Sequence, residues 1–369
     1  MKKAKNGPTI QIAKRKPLPL WKSWGIRILS VVFALIVCAL MIYAIVKMNP
    51  LKVYVSMFNG AFGTSKRLWV TIRDTMTLLC IGLGLGLAFR MRFWNIGAEG
   101  QVLVGGIAAA ACMIYIGSSM STWLLLAVMF VASAVAGGIW GLIPSIFKAR
   151  WGTNETLFTL MMNYIAIQLT SYCVALWENP YGSNSVGIIN QISKAGWFPA
   201  IFGQTYTLNV ILVLTLTALV YIYMRYSKHG FEIAVVGESE NTARYTAINV
   251  KKVLIRTMAL SGAICGIAGN IAVAGAGHTI STSTAGGRGF TAIIVAWLAK
   301  FNPFVMVLIS ALLVFLEKGA IEIASIYNLS DFVSDMITGI ILFFILGSEF
   351  FIRFHVRIHK AGHKEEAAK

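Results

Sequence analysis

Residues 26–46 read IRILSVVFALIVCALMIYAIV, a stretch in which Arg27 is the one charged side chain. An α-helix needs about 20 predominantly apolar residues to cross a bilayer core that is about 30 Å thick. The stretch is too long for the apolar region of a signal peptide, and no small-residue cleavage site follows it. We therefore expect a first membrane-spanning helix here.

The composition of the whole chain extends this expectation to the rest of the protein. Of its 369 residues, 57% are hydrophobic and 12% are charged, against about 45–50% and 25% in an average soluble protein. With a mean hydropathy of +0.73, there is too little polar surface to cover a water-soluble body. The composition indicates a polytopic membrane protein and excludes soluble enzymes, disordered chains and nucleic-acid-binding modules.

The net charge of +18 comes from 32 basic and 14 acidic residues. In membrane proteins, Lys and Arg collect in cytoplasmic loops and face anionic lipid. We therefore expect membrane lipid, and no nucleic acid, to be the partner of this charge.

Patterns typical of catalysis or metal binding are missing from the sequence. It has no Walker A, HExxH or GxSxG pattern, so we expect no enzyme activity and no cofactor. If transport is driven by ATP, the nucleotide must bind another chain. The remaining candidates for chemistry are lone cysteines in apolar segments, which are expected to be buried hydrophobes, and histidines in a basic tail: Cys38, Cys80, Cys112, Cys173, Cys265, His355, His359 and His363.

Hydropathy and helix-breaking residues predict an all-α fold with about ten spans. An even number of spans places both termini on one side, and the basic residues assign that side to the cytoplasm. The predicted parts are a basic tail at 1–25, one transmembrane domain at 26–351 and a second basic tail at 352–369. After the first span, the others are expected near 74–90, 97–117, 122–147, 156–176, 207–226, 257–277, 289–300, 303–323 and 332–351.

Three connecting segments have a composition of their own. Residues 47–73 carry basic residues on the predicted outer side, which favours an interfacial amphipathic helix there. The outer loop 177–206 is rich in Gly, Asn, Ser, Pro and aromatic residues and is expected to fold as a small cap. The inner loop 225–256 mixes charges with helix formers, which favours a structured cytoplasmic helix, with a solvated linker as the alternative.

Polar residues inside apolar runs are informative because burying them in lipid is costly unless they face a cavity or a partner. The string Asn-Ile-Gly-Ala-Glu-Gly-Gln at 95–101 stands at the mouth of the third span. Asn154 precedes the fifth span, where it either caps the helix or serves function. Asn163 lies within that span, where it either bonds across helices or lines the transport path.

A second polar patch, residues 278–289, reads HTISTSTAGGRG and precedes an apolar segment of about a dozen residues. A segment that short spans a bilayer poorly, since a crossing needs about 20 residues. We therefore expect the Ser/Thr string at membrane depth, with an outer loop and a solvated arginine as the alternative.

The two glycine-flanked patches are candidate mates in an inverted repeat. Residues 97–100 (Gly-Ala-Glu-Gly) and 286–289 (Gly-Gly-Arg-Gly) each precede an apolar helix, and the two helices are predicted to run in opposite directions. Inverted repeats bring their polar breaks together at a central site. Glu99 and Arg288 are each expected to have a polar partner or face the central cavity. We expect one near the inner and one near the outer surface, so that they do not pair with each other.

The amide, hydroxyl and carboxylate groups of these patches can match the hydrogen-bonding groups of a polar solute. The predicted substrate path consists of Asn95, Glu99, Gln101, Asn154, Asn163, Asn270, His278, Ser281, Thr282, Ser283 and Arg288.

The sequence resembles the permease subunits of ABC importers of the branched-chain amino acid, ribose and nucleoside class, most closely the nucleoside branch. The resemblance covers residues 49–347 in the family's order, and the string at 95–101 is its most specific part. Trp94, Trp297 and Lys300 depart from the family's usual pattern, which leaves fine substrate preference open. The motifs that carry the resemblance are Phe93–Gln101, Gly152–Glu155, Met162–Ala166, Val236–Glu238, Ala243–Tyr245, Ile248–Val250, Ser261–Ala263, Gly266–Gly269 and Gly289–Ile293.

The resemblance implies a type II importer fold in a bacterial cell membrane and a nucleoside substrate. It implies three protein partners: an ABC ATP-binding subunit, a second homologous permease that forms a heterodimer with this chain, and an extracytoplasmic substrate-binding protein. The ATPase subunit is expected to dock on the inner loop at Gly237, Glu238, Asn241, Arg244 and Tyr245.

Other classes of function remain as alternatives. An ion-coupled secondary transporter would need buried acids at mid-depth, whereas Glu99, Glu155 and Asp74 are predicted near span ends. A membrane-embedded enzyme would need paired carboxylates, a metal site or a nucleophile. An importer permease for sugars or branched-chain amino acids is the third alternative.

Overall fold

A computed structural model describes residues 9–15, 19–47, 49–328 and 331–359. Within these ranges nearly every ordered element is an α-helix, which confirms the predicted all-α class. The helices are α1 (Leu20–Val46), α2 (Pro50–Phe62), α3 (Ser65–Arg90), α4 (Ala98–Ile116), α5 (Thr122–Trp151), α6 (Glu155–Leu176), α7 (Thr207–Tyr226), α8 (Lys228–Glu238), α9 (Glu240–Tyr245), α10 (Val250–Ala272), α11 (Arg288–Leu298), α12 (Pro303–Ile326) and α13 (Asp331–Arg353). A π-helical segment (Val273–Gly277) extends α10, and the strands are β1 (Thr9–Lys14) and β2 (Phe354–His359).

Eight helices in the described residues are long and apolar enough to cross a membrane. They coincide with eight of the predicted spans. The predicted span at 289–300 is the 11-residue helix α11, which is about 16 Å long and covers half a bilayer core. The predicted span at 332–351 falls on α13, of which residues 336–352 form a shorter apolar helix in the described range.

The segment 47–73 does not form one interfacial helix. Its first part is α2, and its last part is the beginning of α3, which starts at Ser65 rather than near residue 74. The side chain of Thr64 accepts a hydrogen bond from the Arg67 N–H at 3.2 Å. This N-cap begins α3 upstream of the apolar run that hydropathy detects.

The chain divides into two compact units, Met1–Ala61 with Leu316–Lys369 and Phe62–Phe315. In the first unit, α1 packs along α13, and Arg27 forms an ion pair with Glu349. Antiparallel pairing of β1 with β2, from Thr9 opposite His359 to Lys14 opposite Phe354, joins the two ends of the described chain.

The second unit is built around α3 and α10. Most of each helix is buried, and α10 packs against α5, α4 and α3. The α5–α10 contact is backbone to backbone, because a Cβ on Gly137 would lie 2.4 Å from the Gly262 carbonyl oxygen and one on Gly266 would lie 2.1 Å from that of Ser133. Small residues allow two helices to approach this closely.

The two ends of this unit are formed by different loops. At one end, which we call the cap face, residues 177–206 fold over the π-helical segment, and the Ile189 N–H donates to the His278 carbonyl at 2.8 Å. The Trp197 and His278 rings stack at 3.7 Å, and burial lowers the pKa of His278 below its usual 6.5. This side chain is therefore neutral at neutral pH.

The other end, which we call the loop face, carries α8 and α9. A Cβ on Gly237 would lie 2.0 Å from the carbonyl oxygen of Arg90, so α8 lies against the end of α3. The prediction of a structured helix in 225–256, rather than a solvated linker, is confirmed. Val250–Gly277 runs from this face to the cap face, which its 28 residues allow at about 1.5 Å per residue.

The backbone contacts of α10 generate a first prediction. Gly266→Ala should lower the Tm of the detergent-solubilised protein, since the added Cβ must displace the α5 backbone, at a cost of about 1–3 kcal/mol. Gly339→Ala is the matched control, because an added Cβ on this helical glycine has no neighbour within 4 Å. Thermal unfolding measured by scanning fluorimetry checks the pair. Equal Tm values for the two variants would contradict the packing described here.

Candidate functional site

The break between α3 and α4 is held by polar side chains of α6. The chain leaves α3 at Arg90, and α4 begins at Ala98. Between them, the Ile96 N–H donates to Thr159 Oγ1 at 3.1 Å, and the Ile96 carbonyl accepts from Asn163 Nδ2 at 2.9 Å. Asn163 Oδ1 also accepts from the Gly100 N–H at 2.8 Å. These bonds satisfy backbone groups that no helix satisfies at the break.

A second anchor joins the same break to α10. Asn95 is fully buried, and its Nδ2 donates to Gln101 Oε1 at 3.3 Å and to Ser261 Oγ at 3.5 Å. Its Oδ1 accepts from the Gly97 N–H at 3.0 Å. Asn95, Gln101 and Asn163 are thus engaged within the protein, and Asn163 bonds across helices as one of its two predicted roles requires.

The break between the π-helical segment and α11 closes through a local turn. The Ser281 N–H donates to Thr284 Oγ1 at 2.8 Å, and the Ser281 and Ser283 hydroxyls lie 3.1 Å apart. Gly286 and Gly287 have φ angles of +60° and +73°. Glycine suits both positions because other residues rarely adopt this left-handed conformation.

The two breaks meet at the carboxylate of Glu99. Its Oε1 accepts from the Gly287 N–H at 2.7 Å, and its Oε2 accepts from the Gly289 N–H at 2.8 Å. Glu99 lies in the first turn of α4, and the two glycines stand at the start of α11. A helix N-terminus carries about half a positive elementary charge, so the carboxylate neutralises two helix ends that face each other. We call this arrangement the half-helix junction after α11, which is about half a span long, whereas α4 is long enough to cross a membrane.

The approach of the two chains at the half-helix junction requires Gly289. A Cβ at this position would lie 2.5 Å from the Glu99 backbone nitrogen and 2.7 Å from its Oε2. Any side chain here would separate the two helix ends.

The directions of α4 and α11 agree with the predicted inverted repeat. The end of α4 reaches the cap face, where Asn190 Nδ2 donates to the Met113 carbonyl at 2.7 Å. The end of α11 reaches the loop face, where the Trp297 and Trp94 rings stack at 5.5 Å. The predicted opposite directions of the helices after the two patches are confirmed.

The predicted separation of Glu99 and Arg288 is wrong. Arg288 lies between the two glycines whose N–H groups bind Glu99, so both residues occupy the same level of the unit. Hydropathy assigns each patch to the surface next to its span, whereas the packing brings the starts of α4 and α11 together at Glu99. The expectation that each side chain has a polar partner is confirmed.

The partner of Arg288 is Asp74 of α3. Arg288 Nη2 lies 3.1 Å from Asp74 Oδ2, and Arg73 Nε lies 2.8 Å from Asp74 Oδ1. Asp74 is buried, so the two guanidinium groups compensate a charge that would otherwise be costly. The predicted substrate path did not include Asp74 or Arg73, although an adjacent acid and base at the start of an apolar run is a detectable signal. The prediction that Asp74 lies near a span end is wrong, because α3 begins at Ser65 and Asp74 is buried within the helix.

An open cavity lies beside this charge cluster. Its lining includes Arg73, Asp74, Thr279, Ser281, Thr284 and Arg288. Ser281 and Arg288 of the predicted path therefore face accessible space, and Thr282 and Ser283 are exposed next to them.

Three other predicted path residues lie elsewhere in the unit. Asn154 caps α6 by accepting from the Leu157 N–H at 3.2 Å, as one of its two predicted roles requires. Asn270 is buried in α10, and its side-chain amide has no hydrogen-bond partner among the described residues. His278 belongs to the contact between the cap and the π-helical segment.

The predicted coupling residues are gathered on α8 and α9. Ser239 Oγ caps α9 by accepting from the Thr242 N–H at 3.3 Å, and Arg244 lies 3.5 Å from Glu240 one turn away. Gly237 is buried against the end of α3. The other four predicted coupling residues, Glu238, Asn241, Arg244 and Tyr245, are exposed on the loop face, with Tyr245 91% exposed.

Broken helices whose ends meet inside a polytopic helical unit are the arrangement of membrane transport proteins. A family model described as "Branched-chain amino acid transport system / permease component" matches residues 68–346, and the chain belongs to this permease family.

The chain is also similar to individual permease proteins of ABC transporters. The chain is 31% identical to the guanosine ABC transporter permease protein NupP of Bacillus subtilis over 312 residues, covering 82% of this chain and 86% of the relative. It is 26% identical to the nucleoside ABC transporter permease protein NupB of Lactococcus lactis, over 93% and 95% of the two chains. A glucose ABC transporter permease protein of Haloferax volcanii is 28% identical, over 95% and 94%.

The half-helix junction generates a second prediction. Glu99→Ala should lower the Tm, because two helix N-termini are left facing each other without a counter-charge, and sodium formate should restore part of the loss by supplying a carboxylate. Formamide at the same concentration should not restore the Tm, because it supplies no carboxylate. Glu99→Gln should remain less stable than wild type, since an amide offers one acceptor oxygen.

Glu238→Ala is the matched control for this experiment, since Glu238 is an exposed carboxylate on the loop face. Its Tm should equal that of wild type and should respond to formate as wild type does. If formate raises the Tm of wild type, Glu99→Ala and Glu238→Ala by the same amount, the carboxylate is not what joins the two helix ends.

Proposed function

We propose that this chain is the transmembrane permease subunit of an ATP-driven importer of nucleosides. The observation that carries the proposal is the similarity over most of the chain to a guanosine permease and a nucleoside permease of ABC transporters. The half-helix junction supports it, because meeting half-helices offer a polar site inside the membrane. ATP binds a separate ATPase subunit.

The loop face is the cytoplasmic face in this proposal. Basic residues gather there, including Lys148, Arg150, Arg244 and Lys251, which border one groove, and the positive-inside rule assigns such residues to the cytoplasm. The ATPase subunit docks on Glu238, Asn241, Arg244 and Tyr245, the exposed residues at the end of α8 and on α9. β1 and β2 pair near the two ends of the described chain, and the basic residues of the two terminal tails favour a cytoplasmic location for both by the same rule.

The cavity beside Arg288 is the part of the path that touches the solute. Its hydroxyl, carboxylate and guanidinium groups can hydrogen-bond to ribose hydroxyls and base edges. Asn95, Gln101 and Asn163 instead hold the half-helices in position, because their amides are already bonded within the protein.

The remaining partners follow from the same assignment. An extracytoplasmic substrate-binding protein delivers the nucleoside to the cap face, where residues 177–206 form a folded surface. A second, homologous permease completes the path as a heterodimer in the bacterial cell membrane.

A sugar permease is the second candidate function. The 28% identity to a glucose permease over nearly the whole chain favours it. Because both candidates predict recognition of hydroxyl groups, the residues that line the cavity do not distinguish them. Competition between solutes for uptake separates the two candidates.

Uptake into right-side-out vesicles that contain the assembled importer tests the proposal. Labelled guanosine should accumulate only when ATP is enclosed and the binding protein is present, and unlabelled nucleosides should compete while glucose does not. Competition by glucose alone would support the sugar permease. Accumulation driven by an ion gradient without ATP would overturn the assignment to ABC importers.

The proposed docking site generates a third prediction. Arg244→Glu should lower ATP-dependent uptake by about tenfold, which corresponds to about 1.4 kcal/mol of coupling, while the ATPase subunit still co-purifies. Lys228→Glu is the control, because Lys228 is an exposed base on the same face outside α9. Uptake and ATP hydrolysis are measured on the same membranes. Unchanged uptake in Arg244→Glu would remove α9 from the docking site.

A further inference from the structure

The cavity beside Arg288 offers a solute more hydrogen-bond donors than acceptors. Its charged lining consists of the guanidinium groups of Arg73 and Arg288 and the carboxylate of Asp74. Asp74 is 1% exposed, and its two oxygens lie 2.8 Å from Arg73 Nε and 3.1 Å from Arg288 Nη2. A guanidinium group has five N–H donors and no acceptor. Two guanidinium groups beside one engaged carboxylate therefore leave a surplus of donors and one net positive charge.

The guanidinium group of Arg73 is held in one orientation. Its Nε is bonded to Asp74, its Nη1 donates to the Tyr206 hydroxyl at 3.4 Å, and its carbon Cζ lies 5.2 Å from the centre of the Tyr206 ring. Tyr206 directly precedes α7, so these contacts fix the Arg73 side chain between α3 and the end of the cap. A planar group that is held on two of its three nitrogens presents the third in a defined direction.

The third nitrogen of this group, Arg73 Nη2, is the donor that remains for a solute. In the part of the chain that the structure describes, Nη2 makes no hydrogen bond. The side chain is 19% exposed and borders the cavity. Because Nη2 carries two N–H groups, an occupant of the cavity must bring acceptors to satisfy them.

The rest of the cavity has room for one flat ring system. Its volume of about 210 Å³ is below the about 300–1,000 Å³ of a pocket that encloses a whole drug-sized ligand, so it suits the base of a nucleoside better than the whole molecule. The hydroxyls of Ser281 and Thr284 lie 3.4 Å apart and are engaged in the local turn. One wall consists of small residues of α10 and the π-helical segment, which leave space for a ring: Ala272, Ala276 and Gly277.

We propose that Arg73 is a specificity-determining residue that donates to the acceptor edge of a 6-oxopurine base; the inference rests on the proposed nucleoside importer and adds which bases it accepts. In protein–DNA complexes, arginine donating to O6 and N7 of guanine is the commonest base-specific contact. Adenine has an amino group in place of O6, so its donors would face the donors of the guanidinium group. A site built to bond one group rejects an analogue that leaves its polar atoms unpaired.

The test compares inosine with adenosine, which differ at position 6 of the purine, where inosine has an oxygen and adenosine an amino group. Uptake is measured in right-side-out vesicles that contain the assembled importer, enclosed ATP and the same substrate-binding protein throughout. Arg73→Gln should shift the inosine-to-adenosine uptake ratio about tenfold towards adenosine, because a glutamine amide pairs with N6 and N7 of adenine. A shift in this ratio reports recognition, whereas a loss of packing lowers the uptake of both nucleosides.

A second variant, Arg73→Lys, keeps a positive charge beside Asp74 but loses the planar fork of donors. It should raise the half-saturating concentration of inosine about fivefold and keep the preference for inosine, since an ammonium group still donates and cannot accept. Arg150→Gln is the matched control, because Arg150 is an exposed base on the loop face and does not border this cavity. It should leave the uptake ratio unchanged.

The outcomes separate this inference from the proposed function. If wild type imports nucleosides while Arg73→Gln leaves the uptake ratio unchanged, the inference is overturned and the proposed function stands. If Arg73→Gln does not assemble, Arg73→Lys decides, and an unchanged half-saturating concentration of inosine overturns the inference. If inosine monophosphate competes more strongly than inosine, the net positive charge binds a phosphate group and the inference is again overturned. If wild type shows no ATP-dependent nucleoside uptake, both proposals fail.

Discussion

The hydrogen bonds from the Gly287 and Gly289 N–H groups to the Glu99 carboxylate join two helices that would otherwise repel each other. Each helix N-terminus has unpaired N–H groups and a partial positive charge. Two such ends cannot meet in a medium of low dielectric constant unless an anion lies between them. Glu99 supplies that anion from within the chain, and the meeting of α4 and α11 inside the unit depends on it.

The broken helices impose a second constraint, which is that the backbone at each break must find hydrogen-bond partners. Thr159 and Asn163 of α6 supply these partners at the first break, and a Ser/Thr turn closes the second. Ser261 of α10 adds a hydrogen bond from the Asn95 side chain. The helices that carry these side chains must pack closely to reach the breaks. Small residues on α5 and α10 allow that distance. Polar residues at membrane depth thus divide into those that build the junction and those that remain accessible beside it.

Features encoded locally were predictable. Apolar runs located the spans, glycine-flanked polar strings located both breaks, and their order along the chain indicated opposite helix directions. The prediction failed where a residue's depth depends on the path of the chain, as for Glu99 and Arg288. It missed the pairing of Asp74 with Arg288, because the two residues are far apart in sequence.

By itself, the amino-acid sequence determined that the protein is a helical membrane protein, where its helices break and which permease family it belongs to. These properties follow from hydropathy, glycine placement and ordered motifs, all of which are local along the chain. The tertiary structure alone decided which polar groups meet. Glu99 and Gly287 are separated by 188 positions and come into contact only because two half-helices enter the same interior. The same packing turns Thr159 and Asn163 of α6 towards the first break.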